Sequence, residues 1–187
     1  MPLLPFYGIQ TVTGSAQPVF GTALTAAVTP PPDQFSGNLG PGSNQTQAQV
    51  TVTSTRGFFP GVEILIGASS DFAPGSATQL ADRAVVKRVV SATVLLVQGL
   101  HNSHASGEWC LLNEVVGFIR ITSLGTNNLY LGNAPTVSPT DSSVIDVIPP
   151  GSQAYTISIG TTQPLQTSEF WLYGTAADTF VPSYAQV

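Results

Sequence analysis

From Ala48 onward the apolar residues of this chain recur at every second position. Ala48-Gln49-Val50-Thr51-Val52-Thr53 alternates cleanly. Successive side chains of an extended strand point to opposite faces, so this stretch predicts a half-buried β-strand. Runs of the same β-branched and aromatic character occupy residues 62–67, 85–90, 93–97, 108–112, 116–122, 128–132, 144–148, 155–159 and 170–174. Gly, Pro and Asn clusters separate them at the spacing of about 8–12 residues expected of a sandwich or barrel. No segment sustains a 3.6-residue period, so amphipathic helices are not the building blocks. The expected fold is all-β: two small β-sandwich or β-barrel modules, preceded by an extended Pro/Gly-rich N-terminal arm. The arm covers residues 1–46, a β-barrel-like module 47–114, and a β-sandwich module 115–187.

Several local features refine that outline. Residues 19–28 form an apolar stretch inside the arm. Pro30-Pro31-Pro32 then favours stiff polyproline II, and residues 37–45 read as a Gly/Pro/Asn loop. Two readings of the arm stay open: a leader without fixed structure, or an extended segment that orders on a neighbouring subunit. Residues 68–82 read as a polar loop with one helical turn at 77–82. Ser91-Ala92 joins two β-branched runs as a tight hairpin. Pro149-Pro150-Gly151 reads as a type II turn. Residues 179–184 are expected to be an edge strand, because Pro182 has no N–H for a central ladder.

Composition narrows the function classes. Only 8% of the 187 residues are charged, against about 25% in an average globular chain. Net charge is −5, and the five cations are Arg56, Arg83, Lys87, Arg88 and Arg120. Nucleic-acid binding rests on basic residues that displace counterions, so no nucleic-acid partner is expected. In the Arg83–Arg88 stretch, alternation is expected to set Lys87 opposite its neighbours. No run approaches the roughly 18 apolar residues of a membrane-spanning helix, and no membrane partner is expected. Met1-Pro2-Leu3-Leu4-Pro5-Phe6 lacks the basic start and apolar core of a signal peptide, which points to synthesis in a cytoplasm. The single cysteine, Cys110, lies in an apolar run and reads as a small buried hydrophobe.

Constellations that carry chemistry are sparse. His101 and His104 are three apart, a metal-binding spacing on a helix, but they stand in a Gly/Ser/Asn loop, where turn packing is the expected role. Asp141-Ser142-Ser143 reads as an Asx-turn, and no Gly-x-Ser-x-Gly elbow accompanies it. Residues 37–42 lack the lysine and following helix of a phosphate loop. No catalytic, cofactor-binding or metal-binding residue is nominated, no cofactor is expected, and the chain is expected not to be an enzyme. The aromatics Phe170, Trp171, Tyr173, Phe180 and Tyr184 cluster towards the C-terminus. On a strand Phe170 and Leu172 face one way, Trp171 and Tyr173 the other. One side is core; the other is core as well, a subunit interface, or a sugar platform.

Two sets of motifs carry a resemblance. Leu129-Tyr130-Leu131-Gly132-Asn133, Val137-Ser138-Pro139, Ile148-Pro149-Pro150-Gly151-Ser152 and Phe170-Trp171-Leu172-Tyr173-Gly174-Thr175-Ala176-Ala177-Asp178 together resemble a small β-sandwich module of tailed-bacteriophage virion proteins. The hairpin at 85–97, followed by Gly99-Leu100 and His104-Ala105-Ser106-Gly107, is similar to a second module of virion and surface proteins. The resemblance covers about residues 60–187. It implies a non-enzymatic virion structural protein of the capsid decoration (cement) type, located on the capsid surface. The implied partners are the major capsid protein and further copies of the chain, with a homotrimer favoured. A tail, baseplate or head-fibre component and a glycan-binding module are the alternatives. The contacts are expected at Phe6, Tyr7, Val19, Phe20, Pro30, Pro31, Pro32, Trp171 and Tyr173.

Overall fold

A computed structural model describes residues 8–30, 47–73, 81–151, 154–158 and 165–186. In chain order the strands are β1 (Gln10–Thr11), β2 (Gln17–Pro18), β3 (Gly21–Ala23), β4 (Gln47–Thr51), β5 (Glu63–Gly67), β6 (Asp82–Ser91), β7 (Val94–Gln98) and β8 (Trp109–Leu112), then β9 (Val115–Ser123), β10 (Leu129–Gly132), β11 (Val144–Ile148), β12 (Ala154–Ser158), β13 (Leu165–Gln166), β14 (Trp171–Tyr173) and β15 (Thr179–Gln186). Short 3-10 turns at Ser69–Phe72 and Thr167–Glu169 complete the elements. The chain is all-β, and it divides into two compact units. One is formed by residues up to Phe20, a short piece beginning at Phe72, and residues from Glu114 onward; the other is formed by the residues between them.

The second of these is a rolled, barrel-like sheet in the order β3-β8-β5-β6-β7-β4. Its two ends are stitched together. Leu24 bridges Val52, the Thr25 N–H donates to the Thr51 carbonyl at 2.9 Å, and the Thr53 N–H donates to the Ala23 carbonyl at 2.9 Å. Rolling leaves one face of every strand inside. Directly paired residues of an antiparallel ladder share a face, so the register gives the interior rows. Val97 stands between Ala48 and Val86, and Ile64 between Leu112 and Ala84. All six are buried. The row Thr22, Cys110, Ile66, Asp82 is buried too, and it brings a carboxylate into the interior.

The other unit is a sandwich of two sheets. One has the order β1-β15-β9-β12, with β13 also pairing β9; the other has the order β11-β10-β14-β2. Ile119, Ile121, Phe180 and Tyr184 point inward from the first; Leu129, Leu131, Ile148 and Leu172 point inward from the second. Phe20 meets Tyr184 edge-on at 5.5 Å between ring centroids. Gly132 is required where it stands. A Cβ there would lie 2.6 Å from Val137 Cγ2 and 2.8 Å from the Ser143 carbonyl oxygen, so the loop after β10 closes against bare backbone.

Four sequence expectations change. Residues 8–30 are not an arm standing apart from the modules: β1 pairs β15, β2 pairs β14 and β3 pairs β8. Two- and three-residue strands show no periodicity of their own; they exist because distant strands offer them an edge. The segments 31–46 and 74–80 lie outside the described residues, so most of the helical turn expected at 77–82 falls there. Its last residue, Asp82, instead opens β6. Lys87 and Arg88 do not alternate. A bulge between Val86 and Arg88 leaves both exposed, as an extra bulged residue does. Finally, Pro182 pairs Ile121 of β9, while β1 reaches only Thr179 and Phe180. Pro182 therefore lies beyond the paired stretch on that side, where a missing N–H breaks no ladder among the described residues.

Candidate interaction surface

The outward face of the β11-β10-β14-β2 sheet is covered at one end and open at the other. Trp171 lies on this face, yet it is only 1% exposed. The Phe72 ring lies over it, at 6.0 Å between centroids. One register step along, Tyr130 pairs with Tyr173 on one side and with Val147 on the other. These three side chains form a cross-strand row on the outer face. Val147 is 40% exposed and Ile145, two residues along β11, is 48% exposed. The tyrosine rings are tilted against each other at 6.3 Å and half-buried. Paired aromatics with one flank in solvent are rigid, amphipathic contact surface, the residue type enriched in interfaces.

The open strand beside this row is guarded against strand addition. Asp146 on β11 turns its carboxylate back: Oδ1 accepts the Val147 N–H at 2.7 Å, and Oδ2 accepts the Tyr155 hydroxyl. Desolvation first, then that hydrogen bond and the charge of Asp146, push the Tyr155 pKa up to about 12. Pro149 and Pro150 follow directly and carry no N–H. A carboxylate and two prolines at an edge oppose pairing with another strand. The row of side chains, rather than the backbone edge, is what this sheet offers.

The barrel-like unit contains the densest ionisable cluster. Asp82 is 5% exposed. Its Oδ2 accepts the backbone N–H of His101 at 2.7 Å and of Asn102 at 2.6 Å, and its Oδ1 accepts Asn102 Nδ2 at 3.1 Å. His104 Nε2 lies 3.3 Å from Asp82 Oδ2, and Nδ1 lies 2.7 Å from Glu108 Oε2. The backbone of His104 pairs with Val28 in both directions at 2.9 Å. Charge-assisted bonds of this kind are the strong ones. They tie the loop between β7 and β8 to the start of β6. Gly99 and Gly107, at φ +97° and +91°, give that loop its turns. Both ring nitrogens of His104 are engaged, so the side chain is occupied by packing. Among the described residues no group of three or more His, Cys, Asp and Glu has the arrangement to hold a metal ion.

The nominated contact residues scatter. Phe6, Tyr7, Pro31 and Pro32 lie outside the described residues. Pro30 is part-exposed. Val19 and Phe20 are fully buried, as is Trp171; these three form core and present no surface to a partner. Tyr173 alone of the described aromatics in that set reaches the open face. Tyr130, Ile145 and Val147 were missed. The signal for them was alternation in Leu129-Tyr130-Leu131 and Val144-Ile145-Asp146-Val147, but only pairing shows that their outward positions line up.

The Asx-turn at Asp141 and the burial of Cys110 are both present. The Ser143 N–H donates to Asp141 Oδ1 at 2.6 Å, an Asx-turn, and that bond is the main cause holding the Asp141 carboxyl below its ordinary value. Cys110 is buried, and burial alone pushes its thiol pKa far up, which removes the thiolate that reactivity needs.

No family model, curated protein or solved structure matches the chain.

Proposed function

We propose that this chain is a non-enzymatic virion structural protein, of the capsid decoration type, that binds a capsid surface and bridges neighbouring capsomers. The observation that carries the reading is the row Val147, Tyr130, Tyr173, with Ile145 beside it, on an all-β scaffold. A chain with 8% charged residues exposes uncharged polar groups over much of its surface, and burying those costs less than burying charges. The motif resemblance adds the particle context: the major capsid protein as partner, self-association with a trimer favoured, and residence in the virion. A specific contact needs about 1,200–2,000 Å² in total, and many copies on one lattice multiply a modest contact into firm attachment.

Quantitative mass spectrometry of purified particles tests this. Hundreds of copies per particle, measured against the major capsid protein, support the decoration role. About a dozen copies move the chain to tail, baseplate or fibre. Absence from particles overturns the virion reading.

A second reading has its own observation. Two half-buried tyrosines side by side can stack against a sugar ring, so the same row fits a glycan. Binding on a glycan array that disappears in Tyr130→Ala and Tyr173→Ala favours that function; a silent array at millimolar sugar removes it.

A further inference from the structure

The outer face of the β1-β15-β9-β12 sheet is a second surface, built on different principles. Its rows follow from register. Thr122 lies between Val181 and Ala154, and Arg120 between Ser183 and Thr156. All six are exposed or part-exposed. Five are small or β-branched and uncharged, and Arg120 stands among them. Arg120 is the sole cation in the sequence assigned to this unit. Its guanidinium has no ion-pair partner among the described residues.

The complementary charge is on the same unit. Three acids of the unit are engaged: Asp141 by Ser143, Asp146 by Val147 and Tyr155, Asp178 by Thr126 and Asn127. Glu169 is not. It ends the 3-10 turn Thr167–Glu169, is exposed, and its side chain makes no hydrogen bond or ion pair among the described residues. That turn is tied to the start of β9, where the Thr167 N–H donates to the Glu114 carbonyl at 3.1 Å and the Glu114 N–H donates to Thr167 Oγ1 at 2.9 Å. Val115, 48% exposed, is next in the chain. Arg120 is five residues further along the strand, about 17 Å from Val115. The two charges thus belong to two separate patches of one molecule.

We infer that this sheet face binds a second copy of the chain, with Arg120 of one copy paired to Glu169 of the next and Val115 packed beside that contact. Two different patches make the contact head-to-tail, which closes into a ring where the rotation allows it. The small side chains beside Arg120 leave its guanidinium open to a neighbour, the part-exposed Phe118 in the next row adds apolar contact, and a guanidinium inside an uncharged surface selects a carboxylate. Three adjacent strands present a face about 27 Å by about 14 Å. That is about 380 Å² in plan, under half of the about 800 Å² of accessible surface a standard interface covers per partner, so the contact must cover this whole face and run past its edges, with Arg120 at its centre. The inference deepens the self-association within the proposed function. Its test uses the purified chain alone, so its failure is separate from failure of the particle reading.

The experiment is light scattering after size exclusion, with sedimentation across a concentration series, on the full chain and four variants. Arg120→Glu and Glu169→Arg are each expected to weaken self-association about tenfold or more. The double variant Arg120→Glu/Glu169→Arg is expected to recover to within about threefold of the original chain, as a direct pair does in a charge-swap cycle. Raising salt is expected to weaken the original assembly. Arg88→Glu, an exposed cation of the other unit, is the control and should leave assembly unchanged. All changed residues are exposed, and unfolding curves check that each variant is folded. A monomer at every concentration overturns the inference. So does assembly insensitive to either single change, and so does loss in both singles without recovery in the double.

Discussion

The two units place their polar residues in opposite ways. The barrel-like unit turns Asp82, His104 and Glu108 into one buried or part-buried cluster. The sandwich keeps Tyr130 and Tyr173 at the surface and ties Asp141, Asp146 and Asp178 to nearby turns and strands. The geometry explains the difference. A rolled sheet hides its inner face but has ends, and an end needs a plug whose backbone groups are satisfied. A sandwich hides two faces and leaves two, and whatever stands on those is available to a partner. The buried ionisable cluster therefore serves closure in the barrel-like unit, while in the sandwich the outward-facing rows are what a partner can reach.

The largest expected effect tests the plug. Asp82→Ala removes the acceptor for two backbone N–H groups and takes away the Asp82 contacts of Asn102 Nδ2 and His104 Nε2. Breaking a buried charged network by deleting one partner costs about 3–5 kcal/mol, read as a lowered midpoint in urea unfolding. A change below about 1 kcal/mol would mean the loop is held by something else, and the contrast between the units would fail.

The next separates core from surface within one strand. Trp171→Ala is expected to destabilise by about 3–5 kcal/mol, the range for truncating a buried tryptophan. Tyr173→Ala, two residues on, is expected to lose less than half as much stability while sharply reducing attachment to the partner, because truncating a central interface aromatic removes a disproportionate share of binding. Equal stability losses with unchanged attachment would make the row part of the core and nothing more.

The smallest effect concerns the guarded edge. The Tyr155 pKa is raised to about 12, so the folded chain holds the phenol proton more tightly than the unfolded chain, whose value is about 10. That contribution is complete below about pH 10 and is lost as pH rises towards about 12. Tyr155→Phe should flatten this alkaline decline in unfolding midpoint while leaving neutral-pH behaviour close to the original. An unchanged slope would detach Tyr155 from Asp146.

The sequence alone determined the fold class and most of the strands. Period two in 48–53 and β-branched runs such as 144–148 specify extended backbone with one buried side, a local property that neighbouring residues encode. It also determined the Asx-turn at Asp141 and the burial of Cys110, since a turn is closed by near neighbours and an apolar run seeks the interior. Tertiary structure alone decided that Val19, Phe20 and Trp171 are core while Tyr173 is surface. Trp171 and Tyr173 alternate to the same side, and Phe72, far away in sequence, lies over the first while the second stays part-exposed. It alone made strands of Gln10–Thr11, Gln17–Pro18 and Gly21–Ala23, which have no pattern until a distant edge pairs with them. It alone set His104 between Asp82 and Glu108, and the row Val147, Tyr130, Tyr173 side by side. Which residues share a face along one strand is written in that strand; which strands lie next to each other depends on contacts between residues far apart in the chain.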